Sequence, residues 1–239
     1  MDILLEGAKQ AAILLLKGDP EVWHIVWLSF FVSGTAVLIS LLIGAPFGIF
    51  LALARFPGRR FLVTLVNTGM GLPPVVAGLF VVLLLWRSGP LGFFELLYTP
   101  QAMIIAQVLI ASPIIVGLTL AAIQQVDPKL GLQALSLGAS KLQMVLALAR
   151  EARLSTLAAV MAGFGGVISE VGAVMMVGGN IKNQTRVLTT ATVMETRQGH
   201  FALAIALSII LLGLAFLINL CLTYLQQKGA HRWASQRWR

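Results

Sequence analysis

The chain has 239 residues, 58% of them hydrophobic and only 11% charged, with a formal net charge of +8. A soluble domain carries about 25% charged residues, so this composition argues against a water-soluble enzyme. The basic residues sit in short caps between apolar stretches and form no Arg/Lys stripe interleaved with exposed aromatics, which argues against nucleic acid as a partner.

Residues 1–19 alternate at helical spacing, with Ile3, Leu4, Ala8, Ala11 and Leu15 on one face and Asp2, Glu6, Lys9 and Lys17 on the other. They lack the basic start and cleavage site of a secretory signal and predict a helix lying in the membrane interface. Beyond them, residues 22–54, 61–86, 96–126 and 198–227 hold no Asp, Glu, Lys or Arg. A bilayer core needs about 20 apolar residues per helix, and these stretches are long enough to span.

The first span is predicted from Trp23 to Ala54 and is stopped by Arg55-Phe-Pro-Gly-Arg-Arg60. Within it Gly44 and Gly48, four residues apart, suit close helix packing. The second runs from Phe61 to Trp86, with Pro73-Pro74 near its middle. Two missing backbone donors there break or kink the helix. The third fills Thr99 to Ile123 and the fourth Leu154 to Val177, interrupted by Glu170 and ended by Gly178-Gly179-Asn180. Residues 181–199 read as a polar, Thr-rich stretch. The fifth span runs from Phe201 to Gln226, and a basic tail at 228–239 carries Trp233 and Trp238, suited to a membrane interface.

Five spans place the termini on opposite sides. Eleven Lys and Arg residues fall on the side of the 127–153 loop and the tail, and six on the other. The richer side belongs in the cytoplasm, so the N-terminus is expected outside. The lone Cys221 permits no intrachain disulfide, and His24, His200 and His231 match no metal motif. The chain contains no phosphate-binding Gly-x4-Gly-Lys-Ser/Thr run and should not hydrolyse ATP alone.

The 127–153 loop is the most informative segment. Asp127-Pro128 is a helix start, Gly138 suits a left-handed helix end, and Ser140 can cap a second helix with Leu142, Val145, Leu146 and Leu148 at helical spacing. Such an apolar hairpin needs a cover. The pattern alone leaves two open: a cytoplasmic partner, or the membrane surface.

This loop resembles the cytoplasmic signature of permeases of binding-protein-dependent ABC importers: Glu-Ala-Ala, three residues, Gly, nine residues, Ile, any residue, Leu-Pro. Anchored on Gly138-Ala139-Ser140, it places Leu132-Gln133-Ala134 at Glu-Ala-Ala, Leu148 at the Ile and Arg150-Glu151 at the Leu-Pro. The central Gly, one Ala and an aliphatic residue match, whereas the acidic first residue and the Leu-Pro do not. The block Ile168-Ser-Glu-Val-Gly-Ala-Val-Met-Met-Val-Gly-Gly-Asn-Ile181, with Thr185-Arg-Val-Leu-Thr-Thr190, is similar to the tungstate and molybdate branch, most of all to tungstate permeases. Arg55-Phe-Pro-Gly-Arg59, Gly71-Leu-Pro-Pro74 and Ser88-Gly-Pro-Leu91 fit the same branch.

The resemblance implies an all-α integral membrane protein of the ABC type I importer permease fold. It implies one permease domain over 1–239, in a bacterial inner membrane, working as a homodimer with two cytoplasmic ATPase subunits and an external oxyanion-binding protein. ATP and Mg would then sit on the ATPase, with no metal or cofactor in this chain. It also assigns ATPase coupling to Leu132, Gln133, Ala134, Leu135, Leu137, Gly138, Ala139, Ser140 and Leu142. Candidates for the pore or gate are Pro73, Pro74, Glu170, Gly178, Gly179, Asn180, Arg186, Thr189 and Thr190. Glu170 reads either as a gate or dimer-axis contact or as a structural carboxylate near Gly172; as a direct ligand it would repel an oxyanion. The Gly178–Asn180 and Thr185–Thr192 stretches read either as a polar oxyanion path, with Arg186 and Lys182 adding attraction, or as ordinary turns. The competing function is a secondary transporter or channel working without an ATPase.

Overall fold

The computed structural model describes the backbone of residues 2–237 and the side chains of residues 4–228. The expected interface residues Trp233 and Trp238 therefore lie outside the described side chains. Among the described residues every regular element is a helix.

α1 spans Asp2–Lys17 and α2 Pro20–Leu53. The Asp19 carboxylate accepts from the Glu21 and Val22 amides at 2.9 and 3.2 Å, and Pro20 fits the first turn, where its missing N–H costs nothing. α2 has 34 residues, or about 51 Å at 1.5 Å per residue, longer than the hydrocarbon core. Its last turn is closed by Arg59, whose Nε donates to the Leu51 carbonyl at 2.7 Å.

The second predicted span is two helices, α3 (Arg59–Met70) and α4 (Pro74–Leu85), which meet at 105°. Pro73 and Pro74 are the cause, since a proline pair cannot continue the ladder of α3. α5 (Pro100–Gln124) is continuous through Pro113. α6 (Pro128–Ser136) and α7 (Lys141–Glu151) form a hairpin, and α8 (Arg153–Ile168) and α9 (Gly172–Gly178) form a fourth span bent by 60°. α10 (Leu188–Arg197) and α11 (Phe201–Arg237) complete the chain. Among the described residues, three helices can cross a membrane by length and composition, or up to five spans if each bent pair counts as one.

α2 and α5 run side by side in parallel. Ser40 lies beside Val108 and Ser112, Gly44 packs on Ile115 and Val116, and Gly48 on the Val116 carbonyl. The glycine pair thus lets two backbones approach, as its spacing predicts. α8 lies antiparallel on the other flank of α5, with Gln107 at Val167 and Ile115 at Gly163. α3 covers the hairpin end of α5, where Gly69 meets Pro113 and Met70 meets Gly117, while α4 packs against α9 through Gly78 and Ala173.

α1 packs on α11: Gly7 abuts Ile205 and Ala202, and Ala11 is buried, whereas Leu4, Leu5 and Leu16 face outward. Small residues four apart allow close approach, so of the predicted face Ala11 is buried, together with Gly7, while Leu4 and Leu15 stay open. Within the Thr-rich 181–199 stretch, α10 is buried at Leu188, Thr190 and Ala191. α11 also continues as a helix into the basic tail, to Arg237.

Candidate coupling hairpin and translocation site

The α6–α7 hairpin is built from local signals. The Asp127 side chain accepts from the Lys129 amide at 2.8 Å. At the other end of α6, Gly138 has φ +85°, the Gly138 amide donates to Leu135 O and the Ala139 amide to Ala134 O, both at 3.0 Å. This is the paired bonding of a Schellman motif, which glycine permits without Cβ strain. Ser140 then closes a capping box: its Oγ accepts from the Gln143 amide at 3.3 Å, and its own amide donates to Gln143 Oε1 at 2.8 Å.

Gly131 and Leu148 are buried between the two helices, while Leu137 is 88% exposed and Leu132, Leu135, Leu142 and Leu146 are also open. Lys129 and Lys141 flank this knob. Of the predicted coupling residues, Leu132, Gln133, Leu135, Leu137, Gly138, Ser140 and Leu142 are all exposed together, with Ala134 and Ala139 half-buried behind them. A contiguous apolar tip with basic flanks is a patch that a protein partner or the membrane surface covers.

The predicted pore residues divide into separate groups. Pro73 and Pro74 sit at the α3–α4 break. Glu170 sits in the α8–α9 break, 9% exposed, with Oε1 accepting from the Ala173 amide at 3.0 Å. It therefore caps α9. Thr189 donates to the Glu170 carbonyl at 3.0 Å and Thr190 to the Val187 carbonyl at 3.1 Å. In this conformation those hydroxyls are spent on backbone inside the protein and do not line an open path. Gly178 is buried against Met103, whereas Gly179 is exposed, with φ +71°. Asn180 follows, also left-handed at φ 52°. Arg186 and Lys182 both face Glu21, at 3.5 and 2.7 Å, so their charge is already partly neutralised. No cluster of three or more His, Cys, Asp or Glu suited to a metal ion occurs among the described residues.

A different face of the fourth span remains open. Ser155, Ala158, Ala162, Gly166 and Ser169 recur every three or four residues along α8, and all are exposed. Small side chains at this period leave a smooth face.

Residues 44–230 match the model of the binding-protein-dependent transport system inner membrane component family. The chain belongs to this family. It is similar to the tungstate uptake system permease protein TupB of Peptoclostridium acidaminophilum, at 42% identity over 95% of this chain and all of that one. It is also similar to the molybdenum transport system permease protein ModB of Escherichia coli (strain K12), at 30% identity over 91% of this chain and all of the relative. Its fold matches a chain of the MetNI methionine ABC transporter, seen in inward-facing conformations, with a TM-score of 0.73, 19% identity, and coverage of 88% and 98% of the two chains.

The permease fold thus joins a docking-type hairpin to two broken spans. Sequence reasoning passed over Gln107, Ser29, Ser33 and Glu21. Gln107 carried a readable signal, being the only amide side chain in residues 102–123 of an apolar span. Polar groups at such depth are costly and face a protein interior or a wet cavity.

Proposed function

We propose that this chain is the translocation subunit of an ATP-driven importer that moves a tetrahedral oxyanion, tungstate first and molybdate second, into the cytoplasm. Two copies of the chain work with two cytoplasmic ATPase subunits and receive cargo from an external oxyanion-binding protein. The N-terminus faces outward, and the hairpin and the C-terminus face the cytoplasm.

The observation that carries this reading is the tip of the α6–α7 hairpin. Leu137 is 88% exposed beside four other open leucines, yet the hairpin is fixed by two caps and a Schellman turn. A rigid apolar knob on the Lys/Arg-rich side fits a groove on a soluble partner better than it fits lipid. The cargo is supported by the relatives, which are permeases for tungstate and molybdate by name. The small-residue face of α8 suits both a second copy and a passing oxyanion, because it presents hydroxyls and backbone without a fixed cation that would trap a dianion.

Two results test this. Purified chain reconstituted with its ATPase and binding protein should raise ATP hydrolysis and accumulate tungstate inside vesicles. Uptake that persists without the ATPase would instead establish a secondary transporter. For the assembly, Ala162→Cys in a Cys221→Ser background should form an intermolecular disulfide on mild oxidation. Exclusively monomeric protein would place the partner copy elsewhere.

A further inference from the structure

The α8–α9 break lies between two halves of a membrane span, where backbone groups freed from the helix need protein partners. The structure supplies them from two other elements and from the break itself. Gln107 Nε2 on α5 donates to the Val167 carbonyl at 3.1 Å. Thr189 Oγ1 on α10 donates to the Glu170 carbonyl at 3.0 Å, and Glu170 Oε1 takes the Ala173 amide at 3.0 Å. Ser29 on α2 accepts from the Leu188 amide at 2.8 Å, which fixes the start of α10.

One group is left over. Gln107 is 3% exposed, and its Oε1 has no partner. It lines a cavity of about 10 Å³ together with Ser29, Ser33, Glu170 and Thr189, about the room one water molecule needs. With Nε2 committed to a carbonyl, Oε1 can only accept. The Glu170 carboxylate beside it is a second acceptor. The Ser29 proton is spent on the Ile25 carbonyl and the Thr189 proton on Glu170. Of the lining hydroxyls only that of Ser33 keeps its proton, against two acceptors, Gln107 Oε1 and the Glu170 carboxyl group. Water is the smallest molecule that donates two hydrogen bonds.

We propose that one buried water occupies this cavity, donating to Gln107 Oε1 and to the Glu170 carboxylate, and that the latch it completes holds the fourth span in its bent form. Gln107 and Thr189 are positioning residues in this latch. α7 and α8 meet at a single shared residue, Ala152, so a pull on the hairpin reaches the break through α8 with little slack. The latch thus sits at the far end of the lever that starts at the docking tip. The lever role rests on the proposed function, whereas the water and the latch do not.

The test uses the permease with its ATPase in lipid nanodiscs, comparing Gln107→Leu, Thr189→Val and Thr189→Ser by amide hydrogen exchange. Loss of one such bond should speed exchange about tenfold in peptides covering 169–176 and 187–193, leaving 115–124 unchanged. Thr189→Ser restores the donor and should exchange like the unaltered protein. Gln107→Leu and Thr189→Val should also raise ATP hydrolysis in the absence of binding protein, a readout that simple loosening of the fold would not raise.

Unchanged exchange in both peptides overturns the latch. A high-resolution map should show isolated density between Gln107 and Glu170; an empty cavity overturns the water. Should Gln107→Leu fail to insert, the Thr189 pair carries the same comparison. An ATPase that fails to bind while exchange behaves as stated removes the proposed function and leaves the latch standing.

Discussion

Leu137→Asp is expected to abolish tungstate uptake while the chain remains folded and inserted. Leu137 is 88% exposed at the tip of the hairpin, so a charge there removes no internal contact. At a docked interface the same change buries a carboxylate in an apolar pocket. Truncating a central anchor typically costs 2 kcal/mol or more, about 30-fold in affinity, and a buried charge adds to that. Gly138 is a poorer choice of site. Its φ of +85° means that any Cβ costs about 1–2 kcal/mol in the turn itself, which would mix local strain with lost docking. The measurement is co-purification of the ATPase and uptake in cells, with Gln184→Asp at the opposite end as the control. Undiminished ATPase binding by Leu137→Asp would mean that the tip lies elsewhere, on the membrane surface.

Gly48→Val is expected to destabilise the permease more than any surface change. A Cβ at Gly48 would lie 2.7 Å from the Val116 carbonyl oxygen, 2.9 Å from Thr119 Cβ and 3.2 Å from the Leu120 amide. Two of these are backbone atoms that cannot rotate away, so α2 and α5 must separate. Overpacking costs about 1–3 kcal/mol, and in a chain of this size each kcal/mol lowers the melting temperature by about 2–4 °C. The bulkier valine should reach the upper end, a fall of about 10 °C in thermal scans of detergent-solubilised protein. Gly34→Val is the comparison, because nothing lies within 4 Å of a Cβ there. Equal melting of the two variants would contradict the α2–α5 packing.

The hairpin was legible because its determinants are local. Asp127, Gly138 and Ser140 bond within a few residues of themselves, and short-range bonds follow from residue type and spacing. The Pro73-Pro74 break was legible for the same reason: proline acts on its own helix. Glu170 was visible as an ionisable residue in an apolar span, but its two readings could not be separated along the chain. In the structure its Oε1 holds the Ala173 amide, a contact both readings contain.

The Gly7–Ala11 seam, the burial of α10 and the latch were not legible. Gln107 and Val167 are 60 residues apart, and Ser29 and Leu188 are 159 apart. Nothing in the local pattern names such partners. Likewise Arg186 looked available to an anion until Glu21, 165 residues away, appeared beside it.

By itself the sequence determined an all-helical multi-span membrane protein, the Pro73-Pro74 break and the capped hairpin on the Lys/Arg-rich side, while the permease family came from resemblance. Hydropathy, proline sterics and capping are properties of single residues and near neighbours. Only the tertiary structure decided which hydroxyls are spent on backbone, which small residues form seams, and that an unpaired amide oxygen shares a cavity with Glu170. Those depend on which helices touch, and in an apolar medium helix contact is set by shape and by unsatisfied polar groups rather than by hydrophobicity, which every span here shares.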